Sequence, residues 1–139
     1  MEFSRHTIQK MFNEYIANEY EHIADVGCDY VFHYTVSKSQ NLFVHGMAVF
    51  GGYELILTSK DYLIDPDILD GNGVELLKKL GWRIKEAAGM YVLVVTSEQL
   101  QNGDASSVVY HSLKAYNLLD HEIDFSEYEI NKIGTTFLR

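Results

Sequence analysis

The sequence predicts an α+β domain: a mostly antiparallel sheet of about five strands covered on one face by two long helices. The expected order is α-β-β-β-α-β-β-α with a short C-terminal helix. Three observations carry this. Residues 30–59 read YVFHYTV-SKSQN-LFVHGMAVF-GG-YELILTS, three β-rich runs separated by two turn signals. Apolar residues recur at three- and four-residue steps over 4–24 and again over 104–119. The run Tyr91, Val92, Leu93, Val94, Val95 is rich in β-branched residues and reads as a buried strand. At 139 residues the chain is read as a single domain, 1–139. A chain of this size buries about two-thirds of its unfolded surface without disulfide staples.

In the first helix Ile8, Met11, Phe12, Tyr15, Ile16, Tyr20 and Ile23 form one stripe, and Glu14, Glu19 and Glu21 take other positions. Ser4 is placed to cap it, and Asp25-Val26-Gly27 to end it. In the meander, Gly51-Gly52 as a two-residue hairpin loop sets Phe50 against Tyr53, Ala48 against Leu55 and Gly46 against Leu57. The other side of that ribbon then pairs Val49 with Glu54, Met47 with Ile56 and His45 with Thr58. The loop at 37–41 admits two registers. A two-residue core at Ser39-Gln40 pairs Val36 with Phe43 and Tyr34 with His45. A three-residue loop pairs Val36 with Leu42, Tyr34 with Val44, Phe32 with Gly46 and Tyr30 with Ala48. The second is preferred because it sets large aromatic rings over small residues.

Residues 60–75, KDYLIDPDILDGNGVE, gather Asp61, Asp65, Asp67, Asp70 and Glu75 around the only proline and read as a surface crossover feeding a helix from about 74 to 80. Trp82 and Ile84 alternate as in a strand, while Leu77, Leu80 and Ile84 also fit a continuing helix. A hairpin closed near Ala88-Gly89 is the expectation taken. Thr96 to Gln99 forms a capping box opening a short turn that stops at Asn102-Gly103. The second long helix, 104–119, presents Val109, Leu113, Tyr116 and Leu119. A second capping box, Ser126 to Glu129, predicts a short helix in the tail ending at Gly134.

Twenty acidic against 11 basic residues give a formal charge of −9. Direct binding to nucleic acid is disfavoured, because that affinity comes from Lys and Arg. An acidic surface suits a basic partner, including a nuclease or another nucleic-acid-binding protein. The single cysteine, Cys28, forbids an internal disulfide, and the N-terminus has no apolar core of a signal peptide. No run of about 18 apolar residues occurs, so the reading is cytoplasmic, with no membrane contact.

The constellations that carry chemistry in other chains are weak here. Residues 65–76 look superficially like a calcium loop, but Leu69, Asp70 and Leu76 stand where ligands and the invariant glycine are needed. His33 and His45 face each other across two strands in the preferred register, close enough to share a metal, without a recognisable third ligand. His33-Tyr34-Thr35 is half of the paired His-x-Thr signature of two-histidine phosphoesterases, and no second half exists. Cys28 has no nucleophile context, and no G-x-S-x-G, HExxH or phosphate-binding glycine loop is present. No cofactor is implied.

The segment after the second long helix is the more informative. Asp120, Glu122, Asp124, Glu127 and Glu129 interleave with Ile123, Phe125, Tyr128 and Ile130, a spacing of carboxylates and apolar anchors that suits a basic groove. The expected contact surface is therefore Asp120, Glu122, Asp124, Phe125, Glu127, Tyr128 and Glu129, extended by Asp61, Asp65, Asp67 and Asp70. The function expected is that of a non-catalytic inhibitor or antagonist, such as an immunity protein or a phage anti-defence protein of the anti-CRISPR kind. The small basic patch Lys78, Lys79, Arg83 and Lys85 can pair with the acidic tail of a second copy. The element order also resembles that of the small, acidic, dimeric chaperones of bacterial secretion systems, with no motif residue behind the likeness. That resemblance implies an adaptor holding an extended client. The third class is a small-ligand binder or enzyme centred on His33 and His45.

Overall fold

The computed structural model describes residues 4–21, 28–49, 52–85, 89–125 and 127–135. α1, Arg5–Glu21, begins where the sequence places it: the Thr7 N–H donates to the Ser4 hydroxyl at 3.1 Å. Its stripe Ile8, Met11, Phe12 and Tyr15 is buried, and Ile16 packs beside it. The predicted stop at 25–27 lies outside the described residues, as do Ile23 and the side chain of Tyr20.

Six strands form one antiparallel sheet: β1 Cys28–Ser37, β2 Leu42–Val49, β3 Gly52–Thr58, β4 Arg83–Lys85, β5 Met90–Val95 and β6 Glu127–Thr135, in the order β4-β5-β3-β2-β1-β6. The preferred β1–β2 register holds at Phe32–Gly46 and Tyr34–Val44, and it sets His33 directly opposite His45. Leu42, however, pairs with Ser37 and not with Val36. The ladder shifts between Thr35 and Ser37, and the freed Val36 carbonyl accepts the N–H groups of Asp124 and Phe125.

The β2–β3 hairpin is slipped by two residues from the expectation. Gly46 pairs with Leu55, Ala48 with Tyr53, Met47 with Glu54, His45 with Ile56 and Val49 with Gly52. Gly52 is thus a strand residue, and its missing side chain serves packing: a Cβ there would overlap the Val95 carbonyl oxygen of β5. A two-residue slip preserves side-chain parity, so the facing sets survive the error.

The tail departs most. Residues 127–135 are a strand on the free edge of β1, not a short helix, and the sheet has six strands. The alternation of Tyr128 and Ile130 with Glu127, Glu129 and Asn131 fits the pleat, and the open side of β1 supplies the partner.

Helical boundaries also move. α2 is Gly71–Lys79, three residues earlier than expected, because Asp70 caps it through the Gly73 N–H at 2.8 Å. α3, Ser97–Asn102, carries the predicted capping box and ends at Gly103 with φ +99°. α4, Asp104–Leu113, is shorter than expected. Beyond it Tyr116 donates to the Thr58 carbonyl, and Asn117 turns its backbone and side-chain N–H groups onto the Ile68 carbonyl at 2.7 and 3.1 Å, leaving Leu119 60% exposed. The β4–β5 hairpin forms as expected, with the Gly89 N–H on the Lys85 carbonyl.

The described helices stack on one face. Phe32, Tyr34, Val44, Leu55, Leu57, Tyr91 and Val95 point into one core with the α1 stripe, Leu77, Leu100, Val109 and Leu113. Tyr15 meets Phe32 edge-on at 4.8 Å between ring centroids, and Trp82 donates its indole N–H to the Ser112 hydroxyl at 2.7 Å. β5 is accordingly buried on one side only: Tyr91 and Val95 are enclosed, whereas Val94 is 59% exposed. Among the described residues no helix is long and apolar enough to cross a membrane.

Candidate partner-binding surface

Three stretches far apart in sequence meet at the β1–β2 end of the sheet. The first is the β1–β2 turn, where Asn41 holds φ +58°. The second is the crossover, which contains the one-turn 3-10 helices Lys60–Tyr62 and Pro66–Ile68. The third is the segment 117–125. Gln40 is the clamp among them. Its carbonyl accepts the Ile64 N–H at 3.1 Å, its side-chain oxygen accepts the Asp65 N–H at 3.1 Å, and its amide donates to Glu122 at 2.7 Å. The other Glu122 oxygen accepts the Leu119 N–H at 3.0 Å. The Gln40 amide, then that N–H, hold the Glu122 carboxyl below its ordinary range.

Neighbouring links complete the junction. The Asn41 amide donates to the Tyr62 carbonyl at 2.8 Å, the Lys38 N–H approaches Asp124 at 3.4 Å, and Asn117 reaches Asp70 at 3.2 Å. The two acidic runs that are separate in sequence therefore share one pole. Asp61, Asp65, Asp67, Asp70, Glu122 and Asp124 belong to these stretches, as do Lys38 and Lys60. Three large apolar residues stand exposed among the carboxylates: Ile64 at 70%, Leu119 at 60% and Tyr62 at 44%.

The structure redistributes the other expected contact residues. Phe125 is 4% exposed and sits at φ +42°, its N–H on the Val36 carbonyl, so it anchors the segment from inside. Tyr128 donates to the Met11 carbonyl at 2.9 Å, and burial followed by the charge of Glu14 raises its pKa. Glu129 and Glu127 belong to β6, opposite His33 and Thr35. The side chains of Asp120 and Glu127 fall outside the described set. Sequence reasoning missed Gln40, which carries no motif, and Ile64, Leu119 and Tyr62, whose exposure is set by the hydrogen bonds of their neighbours.

His33 and His45 do meet. Nδ1 of His33 lies 2.6 Å from Nε2 of His45, and Nε2 of His33 is 3.0 Å from the Thr35 hydroxyl. Such a contact needs one ring nitrogen to donate and the other to accept, because two imidazolium ions at that distance repel. Burial, then the His33 charge, lowers the His45 pKa to about 4. Among the described residues no group of three or more His, Cys, Asp or Glu side chains is arranged to hold a metal ion. Of the basic patch, Lys78 reaches Glu75 at 3.4 Å on α2, and Arg83 and Lys85 stand exposed on β4. No known protein family, characterised protein or solved structure matches the chain.

Proposed function

We propose that this chain is an acidic, non-catalytic protein-binding module that inhibits or antagonises a basic, nucleic-acid-handling protein, in the manner of an immunity or phage anti-defence protein. One observation carries the reading: Gln40 gathers two separate acidic runs and three exposed apolar side chains onto one pole. Carboxylates at such a surface speed encounter with a cationic groove and compete there with phosphate. Ile64, Leu119 and Tyr62 supply the apolar anchors from which most interface affinity comes.

The test is affinity capture from the native cell, or from its host where the chain is phage-borne, with wild type beside Asp61→Lys/Asp67→Lys and Ile64→Ser. All three side chains are exposed, so the variants should fold as the wild type does. Basic proteins should be retained by the wild type at about 50 mM salt and released by about 500 mM, where screening shortens to a few ångströms. The double lysine variant should lose them at low salt, and Ile64→Ser should weaken retention at every salt concentration. Retention of the same proteins by all three chains overturns the proposal.

A further inference from the structure

The sheet has a second face that none of the described helices covers. Residues directly opposite across a ladder point to the same side. Val31 and His33 of β1, Phe43, His45 and Met47 of β2, Glu54 and Ile56 of β3, Val92 and Val94 of β5 and Arg83 of β4 therefore share the side away from the core. None of the six apolar members joins the core cluster, and Val94 is 59% exposed.

Charge on this face is arranged, not scattered. One edge is basic, with Arg83 and Lys85 on β4; the other carries Glu129 on β6, opposite His33; Glu54 lies between. Among outward residues with described side chains, two acids balance two bases, in a chain whose formal charge is −9. A face that is apolar along its middle and opposite in sign at its two edges is complementary to itself. A two-fold axis parallel to the strands lays β4 over the partner's β6, β5 over its β1 and β3 over its β2. Arg83 then meets the partner's Glu129 at both edges at once, with Lys85 two residues along the same strand. Val94 meets the partner's Val31, Glu54 lies over the partner's Met47, and Val92 and Ile56 cover the partner's His33 and the partner's His45. Beside Arg83 a depression of about 400 Å³, lined by Gly81, Arg83, Val92, Leu93 and Val94, gives the opposing edge a place to sit.

We propose that this open face is a self-association surface, on which two copies of the chain stack sheet to sheet about a two-fold axis. Six strands about 4.8 Å apart and six residues about 3.4 Å long each give a footprint near 500 Å² per copy. The total, about 1,000 Å², lies at the lower end of specific interfaces, the size of weak and transient contacts. The Asp61–Asp70 crossover contributes no residue to this face, so either proposal can fail alone.

Sedimentation equilibrium of the full chain from about 1 to 500 μM should show the mass rising from 15.9 kDa to twice that value. Val94→Lys, at an exposed position, should abolish the rise. Arg83→Glu and Glu129→Lys should each weaken association about tenfold, and the two together should restore it, because the exchanged charges again face each other. Far-UV circular dichroism on each variant reports folding, and Arg83→Glu, fully on the surface, stands in if Val94→Lys does not fold. A mass of 15.9 kDa at every concentration overturns the proposal, as does a dimer indifferent to both Val94→Lys and the charge exchange. The latter result would leave the face to a different protein.

Discussion

Substituting Gly46 by Ala tests the β1–β2 register directly. Gly46 lies opposite Phe32, and a Cβ there would come within 3.0 Å of three carbons of the Phe32 ring. That ring cannot step aside. Phe12, Tyr15 and Tyr34 hold it at centroid distances of 5.6, 4.8 and 4.9 Å, and it is fully buried. Overpacking a core by one methyl costs about 1–3 kcal/mol, while replacing a strand glycine by alanine returns about 0.5–1 kcal/mol, so Gly46→Ala should destabilise by about 1–2 kcal/mol. Urea unfolding followed by Trp82 fluorescence measures this as a lower midpoint at unchanged slope. Phe32→Leu should cost about 1–2 kcal/mol alone, since it opens a cavity under α1. Combined with Gly46→Ala it should cost less than the sum by at least about 0.5 kcal/mol, because the alanine methyl fills the space the ring vacates. A neutral or stabilising Gly46→Ala, or strict additivity in the double variant, would falsify the placement of Phe32 over Gly46.

Two buried hydroxyls should respond in opposite ways. Ser112→Ala leaves the Trp82 indole N–H buried without its acceptor and should cost about 1–3 kcal/mol. The Tyr34 hydroxyl, buried without a hydrogen-bond partner among the described residues, gains nothing from staying, so Tyr34→Phe should be neutral or stabilising in the same assay. A third prediction concerns pH. His45 releases its proton more readily folded, with a pKa near 4, than unfolded, near 6.5. As pH falls below about 6.5 the unfolded chain takes up that proton first, so stability declines between about 6.5 and 4 and levels off below. Discounted for the partial exposure of the ring, the loss by pH 5 is about 1 kcal/mol. His45→Gln should flatten this slope above pH 5, before carboxylates titrate, and an unchanged slope would refute the assignment.

What could be read in the sequence was what depends on near neighbours. α1 and the Thr96–Gln99 box are specified by caps and stripes within a few residues, and both stand where expected. The facing sets of the meander follow from a period of two, which survives the two-residue slip at the β2–β3 hairpin. That slip was illegible because Gly52 answers to β5, whose Val95 carbonyl lies more than 40 residues away in sequence, and not to the turn beside it. The tail misled for the same reason: Ser126 and Glu129 supply a local helix signal, while the free edge of β1 decides for a strand. The carboxylates of the candidate surface were visible as two runs. Their meeting was not, because it rests on Gln40, an unremarkable residue in a turn. Phe125 and Tyr128 looked like surface anchors only because a strand at that position was not expected.

The order in which the chain leaves the ribosome gives the β1–β6 ladder a consequence of its own. β1 is among the first elements made, yet one of its two neighbours is the last of the described elements, across about 100 residues of chain, a closure that costs on the order of 4 kcal/mol. Until that neighbour emerges, β1 offers a row of unpaired amides to whatever strand is at hand, so the nascent protein passes through a period of vulnerability that the finished sheet does not reveal. Glu129 of the final strand then stands exposed on the completed rim, and a charge on that strand discourages another from joining.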